Sequence, residues 1–285
     1  MGLLDSRVIV TTGGSLGIGA EVAKACAAEG ATVILASRTK AALEKTLREL
    51  GPSDRQPHTL YPLDVSRPDE VRDFAHWLEE KIGRIHGLVN CAGIYGPIGK
   101  TPQVSMEKFA EAVAVNFLGT VYTCQALLPL FPAAARKKIV NFSGGGAATP
   151  FPCYSAYATS KIAVVRFTEN LALELADEAA DVNCIAPGFV LTRFHEETLA
   201  AGPERATPAF FEATKKQIAG GGVPVEKAVR LTVFLLSSLS DGITGKFISA
   251  PWDPWPEQEF QERLRRDKDF ATLRRIDDKM FFKKG

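Results

Sequence analysis

Apolar residues along the chain fall into two rhythms. Seven short runs rich in Val, Ile and Leu are bounded by Gly, Pro or Asp: RVIVT (7–11), TVILA (32–36), HTLYPL (58–63), HGLVN (86–90), KIVNF (138–142), DVNCI (181–185) and KFISA (246–250). They lack polar alternation, so they predict strands covered on both faces. Between them, segments 17–29, 40–50, 68–82, 105–128, 157–176 and 225–237 repeat their apolar positions at helical spacing. Strand and helix alternate, which predicts βαβ units and one doubly wound α/β domain on a seven-stranded parallel sheet, residues 1–250. Residues 193–223 break the rhythm with helical FFEATKKQIA and a terminal GGG, and predict a lid inserted after the sixth strand. Beyond residue 250 the pattern stops, and APWDPWP leads into a charged segment. Residues 251–285 are expected to form a C-terminal extension packed on the body, with Trp252 and Trp255 as its apolar anchors.

Composition narrows the function. The 285 residues are 46% hydrophobic and 24% charged, as in ordinary globular proteins. Thirty-four basic against thirty-three acidic residues leave +1, with no broad positive field for nucleic acid or an anionic membrane. A small-molecule partner fits better. No apolar run approaches the roughly 20 residues that span a bilayer, and no signal segment opens the chain, so a cytoplasmic location is expected. Cys26, Cys91, Cys124, Cys153 and Cys184 form no CxxC pair, so neither disulfides nor a metal site is expected.

The chemistry starts after the first strand, where TTGGSLGIGAEVAKA sets Gly13, Gly17 and Gly19 between a β run and a helix. A glycine turn in that context lets backbone approach a pyrophosphate, and the next helix aims its N–H groups at it. The second strand ends in Ala36-Ser37-Arg38 without the acidic residue that favours a free ribose 2′-hydroxyl. Ser37 and Arg38 instead suit a 2′-phosphate, so NADP(H) is expected over NAD(H). Asp64 and Val65, after the third strand, are placed to border the adenine. Tyr157 and Lys161 share one helix face, where a cation beside a phenol lowers the phenol's pKa and fits it for acid–base work.

In order along the chain, TGGSLGIG (12–19), LDV (63–65), VNCAG (89–93), VNFLGT (115–120), YATSK (157–161) and NCIAPGFVLT (183–192) resemble the motifs of the short-chain dehydrogenase/reductase family. The match runs from about residue 5 to residue 249. The resemblance implies a Rossmann-like fold and hydride transfer between NADP(H) and a carbonyl or secondary alcohol. It makes Tyr157 the proton donor, lets Lys161 bind the nicotinamide ribose and tune Tyr157, and gives Asn116 a water-linked proton relay. It adds Ser15, Leu16, Ile18, Asn90, Ala92, Gly93, Pro187, Gly188, Val190 and Thr192 to the cofactor site, and a homodimer or homotetramer to the assembly.

Three positions depart from the family pattern. His86 replaces an Asp before the fourth strand, and Cys91 the second Asn of NNAG; both are expected to change local hydrogen bonds only. The catalytic serine's position is Gly144. Ser143 is adjacent, but a regular strand points it to the opposite face; a bulge at Gly144-Gly145-Gly146 would turn it back. Ser143 is taken as the catalytic hydroxyl on that condition, with Thr149, Ser155, a backbone N–H or water as the alternatives. His195, after the nicotinamide motif, is the histidine to test. Two other readings are a sugar or nucleotide-sugar oxidoreductase or epimerase working through a transient ketone, and a non-catalytic NADP-binding sensor.

Overall fold

The computed structural model describes residues 2–53 and 56–275. Strands β1 (Val8–Thr12), β2 (Thr32–Ser37), β3 (Thr59–Pro62), β4 (Gly87–Asn90), β5 (Lys137–Phe142), β6 (Ala180–Ala186) and β7 (Phe247–Ser249) build one parallel sheet in the order β3-β2-β1-β4-β5-β6-β7. Helices α1 (Gly17–Ala28), α2 (Lys40–Glu49), α3 (Pro68–Lys81), α4 (Met106–Val113), α5 (Gly119–Leu127), α6 (Ser155–Glu174) and α9 (Val225–Leu236) cover its faces. The unbroken apolar runs are explained by this double cover. Ile9, Val33 and Leu35 join α1 and α9 on one face; Val10, Ile34 and Leu88 join α3 and α5 on the other. Local chemistry sets the ends. Helix α3 opens on Pro68 with Asp69 and Glu70 in its first turn and closes with Lys81 in its last, as the macrodipole favours.

Helices α4 and α5 join through a π-helical turn, Ala114–Leu118, rather than forming one regular helix over 105–128. The continuous path Met106–Leu130 is long and apolar enough to cross a membrane, which the sequence pattern alone did not register, and it packs against α3 and α6 within the fold. The inserted segment forms α7 (Arg193–Ala206), broken at Gly202 (φ 76°), and α8 (Pro208–Ala219). At the far end of the sheet from the cleft described below, Lys138 is fully buried between Asp181 (2.7 Å), Asp241 (2.7 Å) and Ser240 (3.0 Å).

The C-terminal segment is ordered as far as the described residues run. It turns through α10 (Gln258–Arg266), buries Leu264, and returns along β7, where the Phe247 N–H donates to Ala271 O at 2.8 Å. Arg274 then reaches Glu169 on α6 (3.1 Å to both carboxylate oxygens), and Arg166 pairs with the same carboxylate. Trp255 anchors as expected: it is 8% exposed, packs on Phe234 at 5.6 Å and donates its indole N–H to Ala250 O. Trp252 does not. It is 81% exposed and lines the cleft described below instead of the core. Residues 276–285 lie outside the described part.

Candidate active site

Strand order reverses between β1, β2 and β4, and ligands of doubly wound sheets bind outside the carboxyl ends of the strands at such a point. There a cleft of about 1400 Å³ opens, lined along one side by Gly13, Ser15, Leu16, Gly17, Ile18 and Gly19. The glycines are required sterically. A Cβ on Gly13 (φ 67°) would meet the Ala92 N at 2.8 Å, and one on Gly19 would strike the Gly13 carbonyl. Helix α1 starts with no side-chain cap and no acidic residue in its first turn, leaving its N–H groups for an anion. Thr46 pins the turn through the Ser15 carbonyl at 3.0 Å.

Ser37, Arg38, Asp64, Val65, Ala92, Gly93, Pro187, Gly188, Val190 and Thr192 also line the cleft. The Ser37 Oγ is buried without a partner, which in a folded interior is a donor and acceptor waiting for a ligand. The Arg38 guanidinium is half exposed, with Glu111 only at 4.0 Å. Asp64 holds its own turn, accepting from the Ser66 N (3.0 Å) and Oγ (2.7 Å). These residues fit a dinucleotide: an unpaired hydroxyl and a loosely held cation end β2, and an uncapped helix start faces the turn. Asn90 departs from expectation. Its amide is turned between strands, donating to Asn141 Oδ1 (2.9 Å) and accepting from Thr123 Oγ1 (2.7 Å), and it does not line the cleft.

Helix α6 brings Tyr157 and Lys161 to the cleft floor, both buried. The Lys161 ammonium donates to the Phe142 carbonyl at 2.8 Å and lies 5.9 Å from the Tyr157 ring centre. In the protein alone, burial pushes the Tyr157 phenol up, a direction opposite to the one expected from Lys161, and burial also lowers Lys161. Desolvation outweighs the cation because the phenol is enclosed and the ammonium is spent on a carbonyl. Asn116 sits on the π-helical turn and does not face the cleft. Its amide accepts from the Ile94 N (2.8 Å) and donates to the Ile94 O (2.8 Å) and to Ser160 Oγ (2.9 Å), and Ser160 in turn donates to the Tyr157 O (2.8 Å). The amide thus joins the β4 loop to α6.

Just past β5 the backbone continues the pairing with β6, the Ser143 N–H donating to the Ile185 O at 2.9 Å, with no bulge in the register. Ser143 borders the cleft, but its hydroxyl is taken up by the Lys161 carbonyl, to which it donates at 2.9 Å. Gly144 faces the Tyr157 hydroxyl instead: a Cβ there would lie 2.5 Å from Tyr157 Oη. Thr149 is exposed and donates to Gly145 O, and Ser155 accepts from Thr101 on the surface. His86 keeps a local role, its Nδ1 accepting from the Val8 N at 3.1 Å.

Above Tyr157 stands an aromatic wall. Tyr95 packs edge-on to Tyr157 (5.0 Å, 89°) and stacks on Phe194 (4.4 Å), and Phe151 stacks on Tyr154 (4.2 Å) and meets Phe210. Phe194 and Phe210 come from the inserted segment 193–223, whereas Tyr95 follows β4 and Phe151 precedes α6. Tyr154 and Thr198 share a 2.9 Å hydrogen bond that ties the start of α6 to α7. His195 is structural. With Thr192 it forms a capping box for α7, its Nδ1 accepting from the Thr192 N at 3.2 Å, and its ring lies on Phe189.

The family profile described as short chain dehydrogenase matches residues 7–201. An L-fucose dehydrogenase of Bos taurus is 32% identical over 81% of this chain and 83% of its own. A D-threitol dehydrogenase of Mycolicibacterium smegmatis is 32% identical over 85% of this chain and 90% of its own. Among solved structures, a short chain dehydrogenase of Shigella flexneri complexed with NADP superposes with a TM-score of 0.75 at 26% identity, covering 87% of this chain and 98% of that one. The Gly-rich turn, the Tyr157–Lys161 pair and these matches agree: the chain belongs to the short-chain dehydrogenase/reductase family of nicotinamide-dependent oxidoreductases.

Proposed function

We propose that the chain uses NADP(H) to interconvert a ketone and a secondary alcohol, with Tyr157 giving the proton to the carbonyl oxygen. The observation that carries this reading is the buried Tyr157–Lys161 pair on the floor of a cleft whose other end is the phosphate turn. When bound, the nicotinamide supplies the hydride. Every other task falls to the chain. Tyr157, held protonated by burial, is ready to donate as charge develops on the substrate oxygen. Lys161 sits beside it, ready to meet a ribose hydroxyl and balance the negative charge. Asn116 is a positioning residue that fixes α6 against the β4 loop. No side-chain hydroxyl is assigned to the role that serine fills in the family. Ser37 and Arg38 support NADP(H), the hydroxyl and the cation both meeting a 2′-phosphate.

A sugar or polyol oxidoreductase is the second reading, favoured by the names of the fucose and threitol dehydrogenases to which the chain is similar. We take residues 1–250 as the catalytic domain, with a lid over 193–223 and an extension after 250, in a cytoplasmic homodimer or homotetramer. A cofactor-consumption screen over ketones, aldehydes, sugars and polyols tests the activity. Oxidation of NADPH by at least one carbonyl class supports it; binding of NADPH with no turnover across the panel would make the chain a sensor.

A further inference from the structure

We infer that Trp252 is the outer wall of the substrate site, a stacking platform for an apolar ring carried by an uncharged ketone. The inference rests on the proposed carbonyl chemistry at Tyr157 and adds the shape and polarity of the substrate. Trp252 and Trp255 lie three residues apart in one Pro-rich segment with opposite fates, 81% and 8% exposed. The backbone around Trp252 is fixed: the Ser249 N–H donates to Asp253 Oδ2 at 2.7 Å, and the Asp253 N–H to Ser249 O at 3.2 Å. Pro251 rests so closely on Gly188 (φ 83°) that a Cβ there would lie 2.8 Å from the proline ring. The indole is therefore held out on a rigid support, registered to the loop that follows β6, and it lines the same cleft as Tyr157.

An indole held on a rigid turn and lining a cleft is placed to stack on whatever enters that cleft. Its position in the cleft makes the contact a ligand. The same cleft is lined by Tyr95, Phe151 and Phe194, which pack around Tyr157, and by Thr149 and Gln217 among its uncharged polar side chains. A hydroxyl-rich or charged substrate entering there would give up water for few partners, whereas an apolar ring loses nothing and gains two aromatic faces. Arg193, the cation beside this wall, is already engaged: it donates to the Gly93 carbonyl (3.4 Å), lies 6.0 Å from the Phe194 ring centre and faces Glu197 at 4.0 Å.

The test compares two methyl ketones, benzylacetone and butanone, in the wild type, Trp252→Ala and Trp252→Phe with saturating NADPH. The expected result is that Trp252→Ala raises KM for benzylacetone roughly tenfold, so that the benzylacetone-to-butanone ratio of kcat/KM falls by about that factor, while Trp252→Phe keeps the ratio within about threefold. Equal losses on both ketones, or an unchanged ratio, would overturn the inference. Calorimetric titration of benzylacetone into the NADP-loaded proteins keeps it testable without turnover. Weaker binding in Trp252→Ala alone supports the platform even if neither ketone is reduced, in which case the carbonyl reading fails on its own. Equal affinities, no binding to the wild type, or loss of self-association in Trp252→Ala by sedimentation would each overturn it, the last by making the indole a contact between copies.

Discussion

Gly144 controls how near the Tyr157 hydroxyl comes to the end of β5. A methyl group at that position would sit 2.5 Å from Tyr157 Oη, and the enclosed ring has little room to retreat. Gly144→Ala is therefore expected to lower kcat by at least about tenfold while cofactor binding holds, since proton transfer depends on hydrogen-bond geometry. Ser143→Ala should behave differently. It removes a bond to the Lys161 carbonyl, so turnover should stay within about tenfold and stability should fall by about 1 kcal/mol, measured by denaturant titration. Arg38→Ala should weaken NADPH by roughly 1.5 to 3 kcal/mol, the range for a hydrogen bond to a charged group, and leave NADH nearly unchanged. Fluorescence titration of both cofactors checks this. Residue types were readable in the sequence; their facing was not. Ser143 and Gly144 differ by one strand position, and Asn90 turned out to bond Asn141 across strands, a pairing that only the register of β4 and β5 fixes.

Among the elements, the strands were the most legible, because seven apolar runs bounded by turn residues can be satisfied only inside a covered sheet. The π-helical turn at Asn116 was not, since its apolar pattern differs little from that of a continuous helix. Helix α7 was hidden for another reason: Gly202 and Pro203 interrupt a segment whose start is set by the capping box of Thr192 and His195. That cap makes α7 pH-sensitive. Burial holds His195 below its usual value, so the unfolded chain takes up the proton more readily than the folded one. The stability this contributes is present above the unfolded value of about 6.5 and is lost as pH falls below it. His58 and His86 are lowered by burial too and act in the same direction. Tm should therefore drop between about pH 7.5 and about pH 5.5, with a shallower slope in His195→Asn. A flat profile, or an unchanged slope in the variant, would remove the cap from this account.

At the scale of the whole molecule, the C-terminal segment closes the sheet edge and ties it to the catalytic helix. The edge strand β7 receives Ala271, and α6 receives Arg274 on the buried Glu169. Arg274→Ala leaves that carboxylate to Arg166 and the Leu273 N–H (3.4 Å) and should cost about 1 to 2 kcal/mol, less than loss of a fully buried pair because the arginine is part exposed. A thermal shift of a few degrees would register it. Composition pointed to two tryptophan anchors, of which only Trp255 is buried, its N–H donating to Ala250 O. Trp252, residues of the inserted segment and the aromatic wall all line the cleft that holds Tyr157, the proposed proton donor. The most direct test is therefore the turnover of Tyr157→Phe, with the same carbonyl substrate and with NADPH affinity measured in parallel. The ring stays and the proton is gone, so kcat should fall by roughly 10² to 10⁴ while the cofactor still binds. Near-normal turnover in a variant that binds NADPH would contradict the mechanism.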